Sequence, residues 1–174
     1  MIQTERLVLR PFTAADRPAF AALNADPRVT EWLAGPLTRD QSDALADRLN
    51  AQIAADGFGF WAAASRDSGA LVGMIGLRRT DNAPPAPCLE LGWRLSPDAQ
   101  GSGLATEGAR AALAWRFANL PGSEILAWTA ATNVRSQAVM RRIGMAPDPA
   151  RDFDHPLLAI GHPLRRHLVF VAQR

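Results

Sequence analysis

The chain contains no lysine and no tyrosine, and a single cysteine, Cys88. One cysteine excludes an intramolecular disulfide framework and a cysteine-rich zinc site. The lack of lysine removes a P-loop, whose second glycine must be followed by that residue. Nineteen arginines stand against seventeen acidic residues, a formal charge of +2, and no basic run exceeds two residues. The footprint of a nucleic-acid groove is therefore absent. No apolar run approaches the ~20 residues needed to cross a bilayer. The opening MIQTERLVLR lacks the apolar core of a signal peptide. The three histidines, His155, His162 and His167, match no common metal-ligand spacing, so no metal is expected. These absences together lead us to expect a soluble, cytoplasmic protein that binds neither nucleic acid nor membrane.

At 174 residues and 48% hydrophobic content, residues 1–174 fit one domain, able to bury about 70% of its unfolded surface. Alternation from Thr4 to Arg10 predicts a strand ended by Pro11. Thr13 with Asp16 resembles an N-cap and predicts a helix over Ala14–Asn24. Asp26-Pro27 breaks it, and a short turn is expected over Val29–Leu33. Thr38 with Gln41 is a capping box. The helix it opens runs to Asp56, with Leu45, Leu49 and Ile53 on one stripe and Gly57 as its C-terminal cap. Strands follow at Phe58–Ser65 and Ala70–Arg78, with Arg66-Asp67-Ser68-Gly69 as hairpin punctuation. Asp81–Pro87, with three prolines, reads as a loop and hinge too short to be a domain linker. A strand at Leu89–Leu95, a helix at Leu104–Asn119, a strand at Glu124–Ala130 and a helix at Val134–Ile143 complete the middle of the chain. A proline- and aspartate-rich tail ends in a strand, Leu168–Ala172. Helices, antiparallel strands and then β-α-β-α-β imply a mixed α/β (α+β) sheet.

The stretch that carries chemistry is LELGWRLSPDAQGSGLATEGARAAL, residues 89–113. Gly101 and Gly103 lack a Cβ, so the backbone there can curl and converge several N–H groups on one point. The next helix adds unpaired donors and the positive end of its dipole, making a site for phosphate oxygens. Thr106 offers a hydroxyl. A plain strand-to-helix turn is the alternative. A dinucleotide fingerprint needs a third small residue three positions after Gly103, where Thr106 stands, although Glu124 is spaced for a ribose contact.

QGSGLA, Gln100–Ala105, resembles the Q/R-x-x-G-x-G/A pyrophosphate loop of the GNAT N-acetyltransferase superfamily. TERLVLRPF, LELGWRLSPDAQGSGLATEG and TNVRSQAVMRRIGM resemble, in order, three motifs of its RimJ/RimL-like ribosomal-protein N-terminal acetyltransferase branch. The last motif departs from that branch, with Arg142-Ile143-Gly144-Met145 where Lys-Leu-Gly-Phe is usual. The resemblance implies the GNAT fold: a mixed, mostly antiparallel sheet flanked by helices, with a splayed strand pair at the acyl-CoA site. It implies acetyl-CoA as co-substrate, its pyrophosphate held by Gln100, Gly101, Ser102, Gly103, Leu104, Ala105 and Thr106. Its pantetheine would lie between Leu89–Leu95 and Glu124–Ala130. Gly92 is the candidate for the bulge that parts these strands, with close packing as the other explanation.

Acetyl transfer needs a neutral amine, a stabilised oxyanion and a protonated sulfur leaving group. A backbone N–H near Leu95 suits the oxyanion, worth a few kcal/mol when preorganised. Many relatives protonate the thiolate with tyrosine, which this chain lacks. By resemblance Ser136 takes that role, unless it only caps a helix, and Asn133 serves as N-cap and pantetheine contact. Neutralising a lysine amine at pH 7 costs about 4.6 kcal/mol and an α-amine about 1.4, so an α-amine needs little beyond a water path to a carboxylate. Glu90 is the candidate base if it faces the cleft, and a solvated strand residue if it does not. Glu31 and Asp98 are alternatives. His155 and His162 lie in a loop within reach of the acceptor. Trp32, Trp61 and Trp93 either line its pocket or fill the core. Arg141 and Arg142 either reach the 3′-phosphate of CoA or form an exposed helical face. Cys88 reads as filler rather than acyl carrier. The expected acceptor is a primary amine, a protein N-terminus or a small amine. The reading leaves a homodimer open. A non-catalytic acyl-CoA-binding module and a dinucleotide enzyme remain as competitors.

Overall fold

A computed structural model of the chain describes residues 1–33, 35–81 and 87–174. In chain order the elements are β1 (Ile2–Gln3), β2 (Leu7–Arg10), α1 (Arg17–Ala25), α2 (Pro27–Thr30), α3 (Arg39–Asp56), β3 (Phe60–Ser65), β4 (Leu71–Thr80) and β5 (Cys88–Leu95). They continue with α4 (Leu104–Asn119), β6 (Glu124–Ala130), α5 (Val134–Arg142), β7 (Ala146–Pro147), β8 (Phe153–Asp154) and β9 (Arg166–Gln173). One sheet runs β1-β2-β3-β4-β5-β6-β9-β7, with β8 also on β9. Among the described strands β5 and β6 pair in parallel and the other pairs are antiparallel. This is the expected mixed, mostly antiparallel sheet flanked by helices.

Side-chain alternation sorts the sheet into two faces. The first five residues of β3, Phe-Trp-Ala-Ala-Ala, are all buried because both faces are covered. Phe60 and Ala62 pack with Phe12, Phe20, Leu23 and Leu49 beneath α1 and α3. Trp61 and Ala63 pack with Ile75, Leu91, Ala109, Leu113 and Met140 beneath α4 and α5. Phe20 is fully buried, so truncating it to alanine costs about 3–5 kcal/mol. In β5, Leu89, Leu91, Trp93 and Leu95 join the α4 side of the core. Alternation therefore turns Glu90, Gly92 and Arg94 to the α1–α3 side.

Local chemistry explains where the elements start and stop. The Thr38 hydroxyl accepts from the Gln41 N–H at 3.2 Å, and the Gln41 side chain accepts from the Thr38 N–H at 2.9 Å. The buried face of α3 is Ser42, Ala46 and Leu49. The expected stripe of Leu45, Leu49 and Ile53 packs against the core, and Ser42 joins it by turning inward to accept from the buried Asn24 at 2.9 Å. The helix expected over Ala14–Asn24 opens instead with a 3-10 turn, Ala14–Asp16. Asp16 there accepts from the Thr13 N–H at 2.7 Å and from Arg10 at 2.9 Å. The strand expected over Thr4–Arg10 is confined to Leu7–Arg10, because the Thr4 N–H donates back to the Leu7 carbonyl at 2.9 Å and closes a turn that separates it from Ile2–Gln3. Residues 82–86 of the loop expected over Asp81–Pro87 lie outside the described residues. No described helix is long and apolar enough to cross a membrane.

Candidate active site

The sheet is complete except between β5 and β6. β4 pairs with β5 at eight positions, and β6 with β9 at seven. β5 and β6 meet at one, Glu90 opposite Leu126. Beyond that pair the strands part, and the inner edges of 92–95 and 127–130 face each other without a ladder. Ser96 donates to the Val72 carbonyl at 2.9 Å, so alternation turns the Leu95 N–H the other way, into the gap. Unpaired strand edges are templates for an extended ligand carrying amides.

Gly92 does not make the gap. Its pairing with Gly76 lies within a regular β4–β5 register, and the sheet's irregularity is at Ala63/Ala64 on β3. A Cβ at Gly92 would stand 2.9 Å from the Phe60 ring, so this glycine permits close packing.

The gap opens onto the glycine curl. Gly101 (φ 77°) and Gly103 (φ 84°) are both left-handed, and Gly103 is the N-cap of α4. The Gln100 side chain donates to the Leu95 carbonyl at 3.1 Å, and the Ser102 hydroxyl to the Ala99 carbonyl at 2.7 Å. Among the described residues, no protein acceptor takes the amides of Gly101 to Thr106. Six N–H groups at the positive end of a sixteen-residue helix suit a diphosphate.

The curl is held from outside by a cluster to which the sequence reading assigned no role. Glu107 accepts from the Thr4 hydroxyl at 2.6 Å, from the Arg6 N–H at 2.8 Å and from Arg6 Nε at 2.6 Å. Arg6 Nη1 donates on to the Ser102 carbonyl at 2.9 Å. Burial works to raise the Glu107 carboxyl, but the bonds from Thr4 and Arg6 outweigh it and hold it below its ordinary range. Thr4 and Arg6 sit in the TERL motif and Glu107 in the ATEG motif, far apart in sequence.

Asn133 and Ser136 stand at the start of α5, just past the end of β6. The buried Asn133 side chain accepts from the Ser136 N–H at 3.2 Å. The cap is therefore Asn133, and Ser136 contributes only its backbone. Its hydroxyl makes no hydrogen bond within the described residues. Arg135 donates to the Gln100 side chain at 3.3 Å, which brings this helix start against the curl.

Glu90 lies where β5 and β6 meet and is not a solvated strand residue. Its side chain is 13% exposed and accepts from Arg78 Nε at 2.9 Å. Burial pushes its carboxyl above the ordinary value against the opposing pull of Arg78. Arg78 also borders a cavity of about 520 Å³ with Arg79, Thr80, Asp81, His155, Pro156 and Leu157. His155 thus lines this cavity and His162 does not. Asp98 lines a separate cavity of about 280 Å³ beside α1, and Glu31 is exposed on the surface.

Arg94, two positions further along the same face from Gly92, reaches under α1. Its Nη1 donates to the Asn24 side chain, while its Nε is sealed from water with no acceptor. Burial lowers its pKa to about 10. Of the other candidates, Trp61 is core, edge-on to Trp115, and Trp93 packs on the α4 side. Arg141 lies over the Phe170 ring. Cys88 is half-buried and its thiol is pushed up to about 11 by burial, so little thiolate is available for acyl transfer. The described residues hold no group of three side chains able to bind a metal.

Comparison with known proteins gives the arrangement its context. The model of the acetyltransferase (GNAT) domain family matches residues 6–146. FsC-acetyl coenzyme A-N(2)-transacetylase of Aspergillus fumigatus is 31% identical over 152 residues, covering 83% of this chain and 64% of that protein. This chain therefore spans less than two thirds of that relative's length. The crystal structure of an acetyltransferase from Agrobacterium tumefaciens superposes with a TM-score of 0.79 at 29% identity, covering 99% of this chain and 94% of that one. Spermidine N-acetyltransferase from Vibrio cholerae, solved with CoA and spermine, shares the fold at 16% identity (TM-score 0.73; 96% and 95% coverage). The chain belongs to the GNAT family of acetyl-CoA-dependent N-acetyltransferases.

Proposed function

We propose that residues 1–174 act as one domain that moves acetyl from acetyl-CoA directly to a primary amine, either a protein N-terminal α-amine or a small amine. The observation that carries this reading is the continuity of the β5–β6 gap with the unpaired amides of Gly101–Thr106. That continuity offers an amide-bearing arm and a diphosphate adjoining places. In this reading Gln100 to Thr106 hold the diphosphate and Asn133 contacts the pantetheine. The likeness to the RimJ/RimL-like branch rests on the motifs quoted above and favours the α-amine.

The chemistry then falls to three groups. The Leu95 N–H, turned into the gap, stabilises the oxyanion that forms as the amine attacks the thioester carbonyl. As the C–S bond breaks, Ser136 passes its unengaged hydroxyl proton to the departing sulfur and takes one from water, so that CoA leaves as the thiol and the serine is restored. Glu90 takes the amine proton through water. Its raised pKa makes it a stronger base than an ordinary carboxylate, nearer to working pH. No metal enters the scheme.

The ion pair of Glu90 with Arg78 favours a second reading, a module that holds acyl-CoA without turnover. A steady-state assay of CoA release over a panel of amines and peptides separates the two. Catalysis predicts amine-dependent release. Tight acetyl-CoA binding with no release above the hydrolysis background selects the second reading.

A further inference from the structure

We propose that Arg94 anchors a carboxylate on the acceptor, so that the substrate class is an amine bearing a carboxylate close to the reacting nitrogen. The inference rests on the acetyl-transfer reading above and deepens it.

Placement comes first. Arg94 precedes Leu95, whose N–H enters the gap. Its side chain therefore leaves β5 at the level where a thioester carbonyl on that N–H would be attacked. It leaves on the same face as Glu90, the proposed base. An α-amino acid bound there spans the short step from the reacting nitrogen to the guanidinium with its own backbone.

Charge is the second argument. The partly buried arginines elsewhere around the α1–α3 side have carboxylates: Arg10 with Asp16, Arg17 with Asp47 and Arg78 with Glu90. Arg116, on the far side, donates through its two terminal nitrogens to the carbonyls of Leu120, Pro121, Gly122 and Glu124, although its Nε, like that of Arg94, is buried without an acceptor. Arg94 has neither kind of partner set. Among the described residues its one acceptor is the neutral Oδ1 of Asn24, and its Nε has none. A buried cation without a counter-charge is unfavourable, and burial already depresses its pKa. An incoming carboxylate supplies what the protein leaves out, in the planar geometry a guanidinium prefers.

Matched acceptors test this: a panel of α-amino acids against their α-carboxamides, with a polyamine as carboxylate-free control, read as kcat/KM for CoA release. The wild type is expected to favour the best acids over their amides by tenfold or more. Arg94→Gln, checked for folding by circular dichroism, is expected to bring that ratio within twofold while acetyl-CoA affinity changes less than twofold. Equal use of acid and amide by the wild type, or a preference that survives in Arg94→Gln, overturns the carboxylate anchor and leaves acetyl transfer standing. Acetylation of no member of the panel by a protein that binds acetyl-CoA overturns the carboxylate anchor alone, whereas failure to bind acetyl-CoA overturns the acetyltransferase reading and this inference with it.

Discussion

The two ends of the site are built from different material. The proposed donor end, from the gap at Leu95 to the curl at Gly101–Thr106, is backbone: strand edges and amides, with side chains acting as buttresses. The acceptor end, as we propose it, is made of side chains on one face of the sheet, namely Glu90 and Arg94 of β5 with Arg78 of β4. Backbone recognition is insensitive to most substitutions but depends on conformation. Side-chain recognition is sensitive to identity and tolerant of conformation. The first suits a co-substrate shared across a family, and the second an acceptor that differs among its members.

That contrast can be broken by single changes. Gly103→Val has the largest expected effect, because a β-branched residue at φ 84° is strained and its Cβ would stand 3.5 Å from the Arg6 guanidinium that buttresses the curl. Strain of about 1–3 kcal/mol plus lost contacts should weaken acetyl-CoA binding by roughly 100-fold, measured by calorimetry on folded protein. Ser136→Ala should lower kcat by about 100-fold, the usual scale for losing a general acid. Its dissociation constant for acetyl-CoA should change less than twofold, and an equal loss in both would make Ser136 a binding residue.

Glu90→Gln should cut kcat/KM and abolish the acidic limb of its pH profile. Because burial raises the Glu90 pKa, that limb should lie above the ~4.3 of an ordinary glutamate, with activity rising as pH climbs through it. Stability has the opposite sign. The folded state favours protonated Glu90, so its contribution is complete at acid pH and is lost as pH rises through the folded pKa. Glu90→Gln should therefore melt higher than wild type at neutral pH, with the gap closing in acid. Arg6→Gln has the smallest effect. Loss of its bonds to Glu107 and Ser102 should raise the KM for acetyl-CoA about five- to tenfold, the worth of roughly one ordinary hydrogen bond. It should not change turnover of S-acetylpantetheine, which lacks the diphosphate. A parallel loss with both donors would make Arg6 a general structural residue.

The donor end was legible in sequence because it depends on short-range signals. Two glycines, a following helix and the Asn133 cap each announce themselves within a few residues, and Leu104–Asn119 and Glu124–Ala130 fall where periodicity put them. What escaped depended on pairing across the chain. Gly92 read as a bulge because its real reason, the Phe60 ring, arrives from another strand. Thr4, Arg6 and Glu107 assemble only when α4 packs beside the first strands. The direction of Glu90 was open until the register of β5 turned it toward the α1–α3 side, and nothing local marks Arg94 as a cation without a counter-charge.

The central claim is that the amides of Gly101–Thr106 and the parted edges of β5 and β6 together hold the acetyl donor. A crystal structure of the protein with CoA tests it most directly. The claim predicts diphosphate oxygens within hydrogen-bond distance, about 3 Å, of several of those amides, with the pantetheine lying between the two strands. A nucleotide bound elsewhere, or a gap closed by the protein's own strands with the curl left bare, would contradict it.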